Sequence, residues 1–242
     1  MGASGGIGFE MVRLLAQHPH TATLFAVARL ATGNPALQEL AMAHAGRIVL
    51  IDADITDESR LAAMATSIAT HVPSLHLVVN AAGMLHTPTR GPEKTLAQLT
   101  LAGLQQSFSV NAFGPILLAK ALMPLLRHAE PVVFASLSAR VGSITDNRLG
   151  GWYSYRAAKA AQNQLLKTLS IELTRLNRRS TVLALHPGTT DTALSKPFQG
   201  NVRDDALFAP IFAAQRLLDV IAQRGPGQTG GFYAWDGTSI DW

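Results

Sequence analysis

Gly2-Ala3-Ser4-Gly5-Gly6-Ile7-Gly8 runs straight into Phe9-Glu10-Met11-Val12-Arg13-Leu14-Leu15-Ala16-Gln17, a glycine-rich turn joined to a helical pattern. Glycines let the backbone turn sharply and approach a ligand closely, and a helix that opens at such a turn offers unpaired N–H groups to an anion such as a pyrophosphate. The spacing is G-x-x-x-G-x-G rather than G-x-G-x-x-G, so an ordinary glycine-rich turn fits these letters as well. The same residues satisfy G-x-S-x-G, the turn that presents a hydrolase nucleophile. Ser4 would be that nucleophile and His186 its base, but no acid stands out to complete the set.

Outward from this turn, short apolar runs alternate with longer helical patterns. The runs Thr23–Ala28, Ile48–Ile51, Leu75–Val79, Pro131–Ala135, Thr181–His186 and Gly231–Trp235 read as strands, mostly solidly apolar, as strands covered on both faces are. Helices are predicted over Ile7–Gln17, Pro35–Ala45, Glu58–His71, Leu99–His128, Tyr153–Leu176 and Asp205–Arg224. Alternation of this kind predicts a doubly wound, Rossmann-type parallel sheet, and no linker divides residues 1–242 into more than one domain. A phosphate-binding turn should follow a strand, yet only Met1 precedes this one. The expectation is a natural start further upstream, the other reading being a sheet that lacks its central first strand.

Composition narrows the function. The chain is 48% hydrophobic and 15% charged, enough apolar surface for a sizeable core and too much for a disordered chain. It has no cysteine, which excludes disulfides, thiolate metal sites and cysteine nucleophiles. Twenty basic against sixteen acidic residues leave only +4, and the basic cluster Arg175, Arg178, Arg179 falls in a predicted last helical turn, where cations complement the dipole. Nucleic acid is therefore not an expected partner. No apolar run reaches the roughly 18 residues of a membrane span and no signal peptide is visible, so a cytoplasmic protein without a membrane partner is expected. The eight histidines show no metal-ligand spacing, so no metal site is expected. Trp152, Tyr153, Trp235 and Trp242 read as packing or interface residues.

The run Thr23–Ala28, the second strand if a first one precedes the glycine turn, ends at Val27-Ala28-Arg29. An acid there would bind the adenosine ribose hydroxyls, whereas Arg29 suits a 2′-phosphate and points to NADP(H) over NAD(H). Further on, Tyr155-Arg156-Ala157-Ala158-Lys159 places a phenol and an ammonium four residues apart on one helix face. A free tyrosine ionises near pH 10, and a cation within about 4–6 Å favours the phenolate. Such a pair serves as general acid and base for a carbonyl/alcohol interconversion.

Taken together, these segments resemble the short-chain dehydrogenase/reductase family over nearly the whole chain. The opening loop looks like the family's T-G-x-x-x-G-x-G with Met1 for threonine. Asp54-Ile55 matches its adenine-contacting position, and Asn80-Ala81-Ala82-Gly83 its N-N-A-G motif with Ala81 for the second asparagine. Pro187-Gly188-Thr189-Thr190-Asp191-Thr192 looks like the loop that holds the nicotinamide carboxamide and pyrophosphate. LSARVGSITDN, GGWYSYRAAKAA and HPGTTDTALSKPFQGNV look closest to the C-factor/sniffer-like branch of carbonyl reductases.

The resemblance implies cofactor contacts from Gly2, Ser4, Gly6, Ile7, Gly8, Arg29, Asp54, Ile55, Asn80, Ala81, Gly83, Tyr155, Lys159, Pro187, Gly188, Thr190 and Thr192. It implies a catalytic set of Asn111, Ser138, Tyr155 and Lys159. Tyr155 would pass the proton, Lys159 would acidify it and bind the nicotinamide ribose, and Asn111 would hold a relay water. Pro115, four residues after Asn111, has no N–H and so frees the Asn111 carbonyl. The family's serine stands three residues before a glycine; here that place is Ala139, with Ser138 one residue early and Ser143 just after Gly142. Ser138 is expected to bind the substrate oxygen; if neither serine reaches it, orientation rests on Tyr155. Residues 193–205 are expected to form a lid over a small carbonyl or alcohol substrate whose identity the sequence does not choose. Relatives often pair through the two long helices, and monomer and homodimer both stay open. A second reading is a dinucleotide-binding signalling protein with little turnover.

Overall fold

The computed structural model describes residues 1–201 and 203–242; Val202, in the expected lid, lies outside the described residues. In chain order the elements begin with α1 (Gly6–Gln17), β1 (Leu24–Ala28), α2 (Pro35–Ala43), β2 (Ile48–Asp52), α3 (Glu58–Ala69) and β3 (Leu77–Asn80). They continue with α4 (Leu101–Phe108), α5 (Gly114–Leu126), β4 (Val132–Leu137), α6 (Tyr153–Leu176) and β5 (Ser180–His186). Last come β6 (Thr189–Thr190), β7 (Leu207–Phe208), α7 (Pro210–Ala222) and β8 (Gly231–Ala234). Starts are set locally. Asn34 caps α2 through Leu37 N–H with Pro35 at the first turn, and Asp57 caps α3 through Arg60 N–H.

All strand pairs are parallel: β1 with β2, β6 with β7, and a four-stranded group in the order β3-β4-β5-β8. Alternate residues of the central strands face opposite layers. Phe134, Val182 and Ala184 pack with Leu118, Leu122, Leu166 and Leu173, whereas Ala135, Leu183 and Leu185 pack with Met11, Leu217 and Val220. The sheet is thus covered on both sides, as the solid apolar runs predicted, and the fold is the Rossmann-type one. Among the described residues, Met1 and Gly2 stand between β1 and β3. The Met1 amine donates to Val79 O (2.9 Å), Ala81 N–H to Met1 O (2.9 Å) and Gly2 N–H to Val27 O (2.8 Å). Two residues occupy the place where a central strand was expected, and they bring the glycine loop to the ends of both neighbours.

Two predicted helices need correction. Leu99–His128 is broken by a π-helical turn at Ser109–Phe113, which ends two residues before Pro115, whose missing N–H cannot close an α-type bond to Asn111. The whole of Leu101–Leu126 is long and apolar enough to cross a membrane, and half of its most apolar stretch is buried inside the fold against α3 and α6. Asp205–Arg224 starts later, at Pro210, because proline fits the first helical position and Leu207–Phe208 pairs with β6 instead.

Candidate active site

The opening loop can only be built from glycine at two places. Gly2 has φ +86°, and a Cβ there would stand 2.6 Å from Ala82 N. A Cβ on Gly8 would stand 2.1 Å from Gly2 O. Gly5 caps α1 without any side-chain hydrogen bond, so no side-chain cap takes up the first amides of the helix. Gly6 lies against Thr192, whose Cγ2 would be 2.8 Å from an added Cβ, which puts the Pro187–Thr192 loop beside the glycine loop. Gly188, with φ +74°, has Phe208 where a side chain would go. A bare, left-handed, close-packed turn at a helix N-terminus is the cradle a dinucleotide pyrophosphate needs, and these residues fit one. Ser4 is exposed, and no hydrogen bond joins it to a histidine among the described residues, so nothing assembles the hydrolase set.

Arg29 lies on a pocket of about 410 Å³ at the end of β1 with Leu30, Asp54, Thr56, Asp57 and Arg60. Hydrogen bonds from Thr56, the backbone one foremost, hold the Asp54 carboxyl below the usual carboxylate range. Ile55 is buried against Gly114, forming a wall rather than an open contact. Arg60 was not singled out in the sequence, since α3 carries it from 31 residues beyond Arg29.

Asn80 ends β3 fully buried: it donates to Ser136 Oγ (2.9 Å) and accepts from Ala82 N–H (3.2 Å), so it shapes the turn through Ala81 to Gly83. Gly83 faces both Asn111 and Lys159; an added Cβ would be 3.5 Å from Asn111 Oδ1 and 3.9 Å from Lys159 Nζ. The Asn111 side chain is spent on structure, bonding Met84 N–H (2.9 Å), Met84 O (2.7 Å) and Ser107 Oγ (3.2 Å). What it has left for chemistry is its backbone carbonyl, in the π-turn.

Tyr155 and Lys159 face one way on α6, both buried, with Nζ 5.8 Å from the phenol ring centroid. Lys159 donates to Leu137 O (2.8 Å) and Gln162 Oε1 (2.9 Å). Gly142 lets the turn after β4 approach α6, since its Cβ would sit 2.8 Å from Lys159 Cβ. The expected acidification of the phenol is reversed. Burial pushes Tyr155 up, and it lowers Lys159 to about 7. Desolvation opposes charge on both groups and outweighs their attraction here.

That depressed lysine predicts a pH dependence. An unfolded chain keeps this proton to about pH 10.4, the folded one releases it near 7, so between these values stability rises with pH, by at most about 1.4 kcal/mol per unit. The Met1 amine and His186, held by burial to about 5 and about 4, act at lower pH. Denaturant titrations of the ligand-free protein between about pH 8 and 9.5 should show the slope, and Lys159→Met should flatten it. A slope unchanged in the variant would assign it elsewhere.

Ser138 is buried and donates to Asn163 Oδ1 at 2.6 Å, while Ser143 Oγ accepts from Asp146 N–H. Among the described residues neither hydroxyl bonds Tyr155. Trp152, expected to be a packing residue, stands edge-on to Tyr155 (6.3 Å between centroids) and to Phe198 of the expected lid (5.4 Å). It is the one non-glycine residue with positive φ (+52°) among the described residues, and Gly150-Gly151 just before it was the signal in the sequence.

The short chain dehydrogenase family pattern matches residues 1–202. The C-signal protein of Myxococcus xanthus is 34% identical over 147 residues, 61% of this chain and 83% of that one. Among solved structures, NADPH-bound carbonyl reductase from chicken fatty liver has a TM-score of 0.87 at 26% identity, covering 100% of this chain and 96% of the other. The carbonyl reductase Sniffer of D. melanogaster has 0.88 at 26%, covering 100% and 97%. A family pattern that runs from the glycine loop past Thr192 leaves one conclusion: this chain is a member of the short-chain dehydrogenase family, an NAD(P)-dependent oxidoreductase.

Proposed function

We propose that the protein is an NADP(H)-dependent carbonyl reductase, working on a small ketone, aldehyde or quinone, with Tyr155 as the group that donates the proton. The observation that carries this reading is the Tyr155–Lys159 pair, buried on one face of α6 beside Gly83 and Asn111. The nicotinamide, when bound, supplies the hydride. Every other part of the work falls to the chain. Gly2, Ser4, Gly6, Ile7 and Gly8 would hold the pyrophosphate, with Thr190 and Thr192 beside it and Pro187 and Gly188 under the carboxamide. Asp54 and Ile55 would line the adenine side, Ala81 and Gly83 the stretch from there to Lys159, and Asn80 would act by shaping their turn.

The Tyr155 phenol is protonated near neutral pH, as a proton donor must be, but the burial that holds it there also makes it a weaker acid, so bound cofactor and substrate would have to draw the proton out. Lys159 would hold the nicotinamide ribose, and the Asn111 carbonyl a water that returns the proton. Ser138 fits the serine role only by releasing Asn163, because a hydroxyl gives one hydrogen and that one is taken. Tyr155 then carries most of the orientation of the substrate oxygen.

The preference for NADP(H) rests on Arg29, with Arg60 on the same pocket. Calorimetric titration should find NADPH bound more tightly than NADH. Arg29→Ala should weaken NADPH by roughly 10- to 100-fold, the cost of one charge-assisted contact, and spare NADH. Equal wild-type affinity for the two cofactors would remove the preference. The signalling reading draws on the C-signal likeness and the occupied Ser138 hydroxyl. It predicts intact NADPH binding with no carbonyl-dependent turnover.

A further inference from the structure

Glu93 is a carboxylate sealed at 5% exposure, outside every motif of the family pattern described above. Its Oε2 accepts Ser154 N–H (3.1 Å), its Oε1 accepts Ser154 Oγ–H (2.5 Å), and its backbone carbonyl accepts Trp152 N–H (2.5 Å). The start of α6 needs this help. Gly150, Gly151 and Trp152 are three successive left-handed residues, and Trp152, the N-cap, offers no side-chain acceptor to the helix. Burial pushes the Glu93 carboxyl up, but the hydrogen bonds from Ser154 and from its own backbone, with the Arg90 charge, together hold it below its ordinary value.

The network continues beyond Ser154. Ser107 Oγ–H donates to Ser154 O (3.2 Å) and accepts from Asn111 Nδ2 (3.2 Å). All four residues are buried, and a cavity near 10 Å³ lined by Glu93, Ser107, Ser154 and Tyr155 lies among them. We propose that Glu93 is a positioning residue: through Ser154 and Ser107 it fixes the first turn of α6, and with it Tyr155, against the π-turn that carries Asn111. The inference rests on the acid/base reading of Tyr155. A carboxylate accepts both Ser154 donors at once; an amide accepts the N–H but must donate to Ser154 Oγ at its other end, which turns the hydroxyl hydrogen away and remakes the contact. Buried, fully bonded networks of this kind set geometry more than they add stability.

The test uses the full chain with NADPH and the fastest substrate from a panel of ketones, aldehydes and quinones. Glu93→Gln should lower kcat by about ten- to a hundredfold, the range for a small misplacement of a reacting group, with KM and NADPH affinity little changed. Ser154→Ala should lower kcat similarly, and the double variant should be no worse than the poorer single one, because both act through one contact. The two mild changes keep the test valid even if Glu93→Ala does not fold. An unchanged kcat in Glu93→Gln, a loss confined to NADPH affinity, or losses that multiply in the double variant would each overturn the proposal. Tyr155→Phe run alongside separates the failures: full turnover there removes both ideas, while an inactive Tyr155→Phe beside an unaffected Glu93→Gln removes only this one.

Discussion

Tyr155→Phe is expected to lower carbonyl-dependent NADPH oxidation by about 10²- to 10⁴-fold, the range for loss of a positioned general acid. NADPH affinity should hold. The ring is what packs, at 8% exposure and edge-on to Trp152, and phenylalanine keeps it. The hydroxyl has no protein partner among the described residues, yet it is not wholly shut off from solvent. Its removal leaves no orphaned donor or acceptor, and the folded protein should lose little stability. A variant that still turns over at the wild-type rate would take the proton-donor role away from this residue.

The second large effect is expected at Gly8. Alanine there would place a methyl 2.1 Å from Gly2 O and 2.9 Å from its carbonyl carbon, both backbone atoms that cannot rotate aside. Alanine favours a helix over glycine by about 1 kcal/mol, but overpacking costs about 1–3 kcal/mol or more and moves the loop, so the clash wins. NADPH affinity should fall by about a hundredfold, near 2.7 kcal/mol, and the melting temperature should drop with it. Gly33→Ala is the control: nothing lies within 4 Å of its Cβ, and both properties should stay as in the wild type. A Gly8→Ala protein that binds NADPH normally would show that the cradle is not where the pyrophosphate rests.

What could be read from the sequence was local. The bounds of α6 coincide with the predicted Tyr153–Leu176, because two glycines and a long helical pattern mark them on the chain itself. The six predicted strands lie within one or two residues of their ladders, whereas the two-residue strands β6 and β7 were not read. The break at Ser109–Phe113 was half visible: Pro115 signalled a freed carbonyl, but the π-turn it accompanies is not written in any one residue. Pro210 was a start signal that the prediction ran past. The site contacts that escaped are non-local. Glu93 meets Ser154 across 61 residues, and Ser138 meets Asn163 across 25. Spacing four residues apart suggested that Lys159 would acidify Tyr155. Only the folded chain shows how deeply both are buried, and burial reverses the direction of the shift.

The central claim is tested most directly by following NADPH absorbance after mixing the wild-type protein with NADPH and, in turn, a ketone, an aldehyde and a quinone. Carbonyl-dependent loss of NADPH, with the matching alcohol or quinol recovered in equal amount, is the predicted result. Tight NADPH binding with no consumption on any carbonyl would contradict it and leave a protein that holds a dinucleotide without using it.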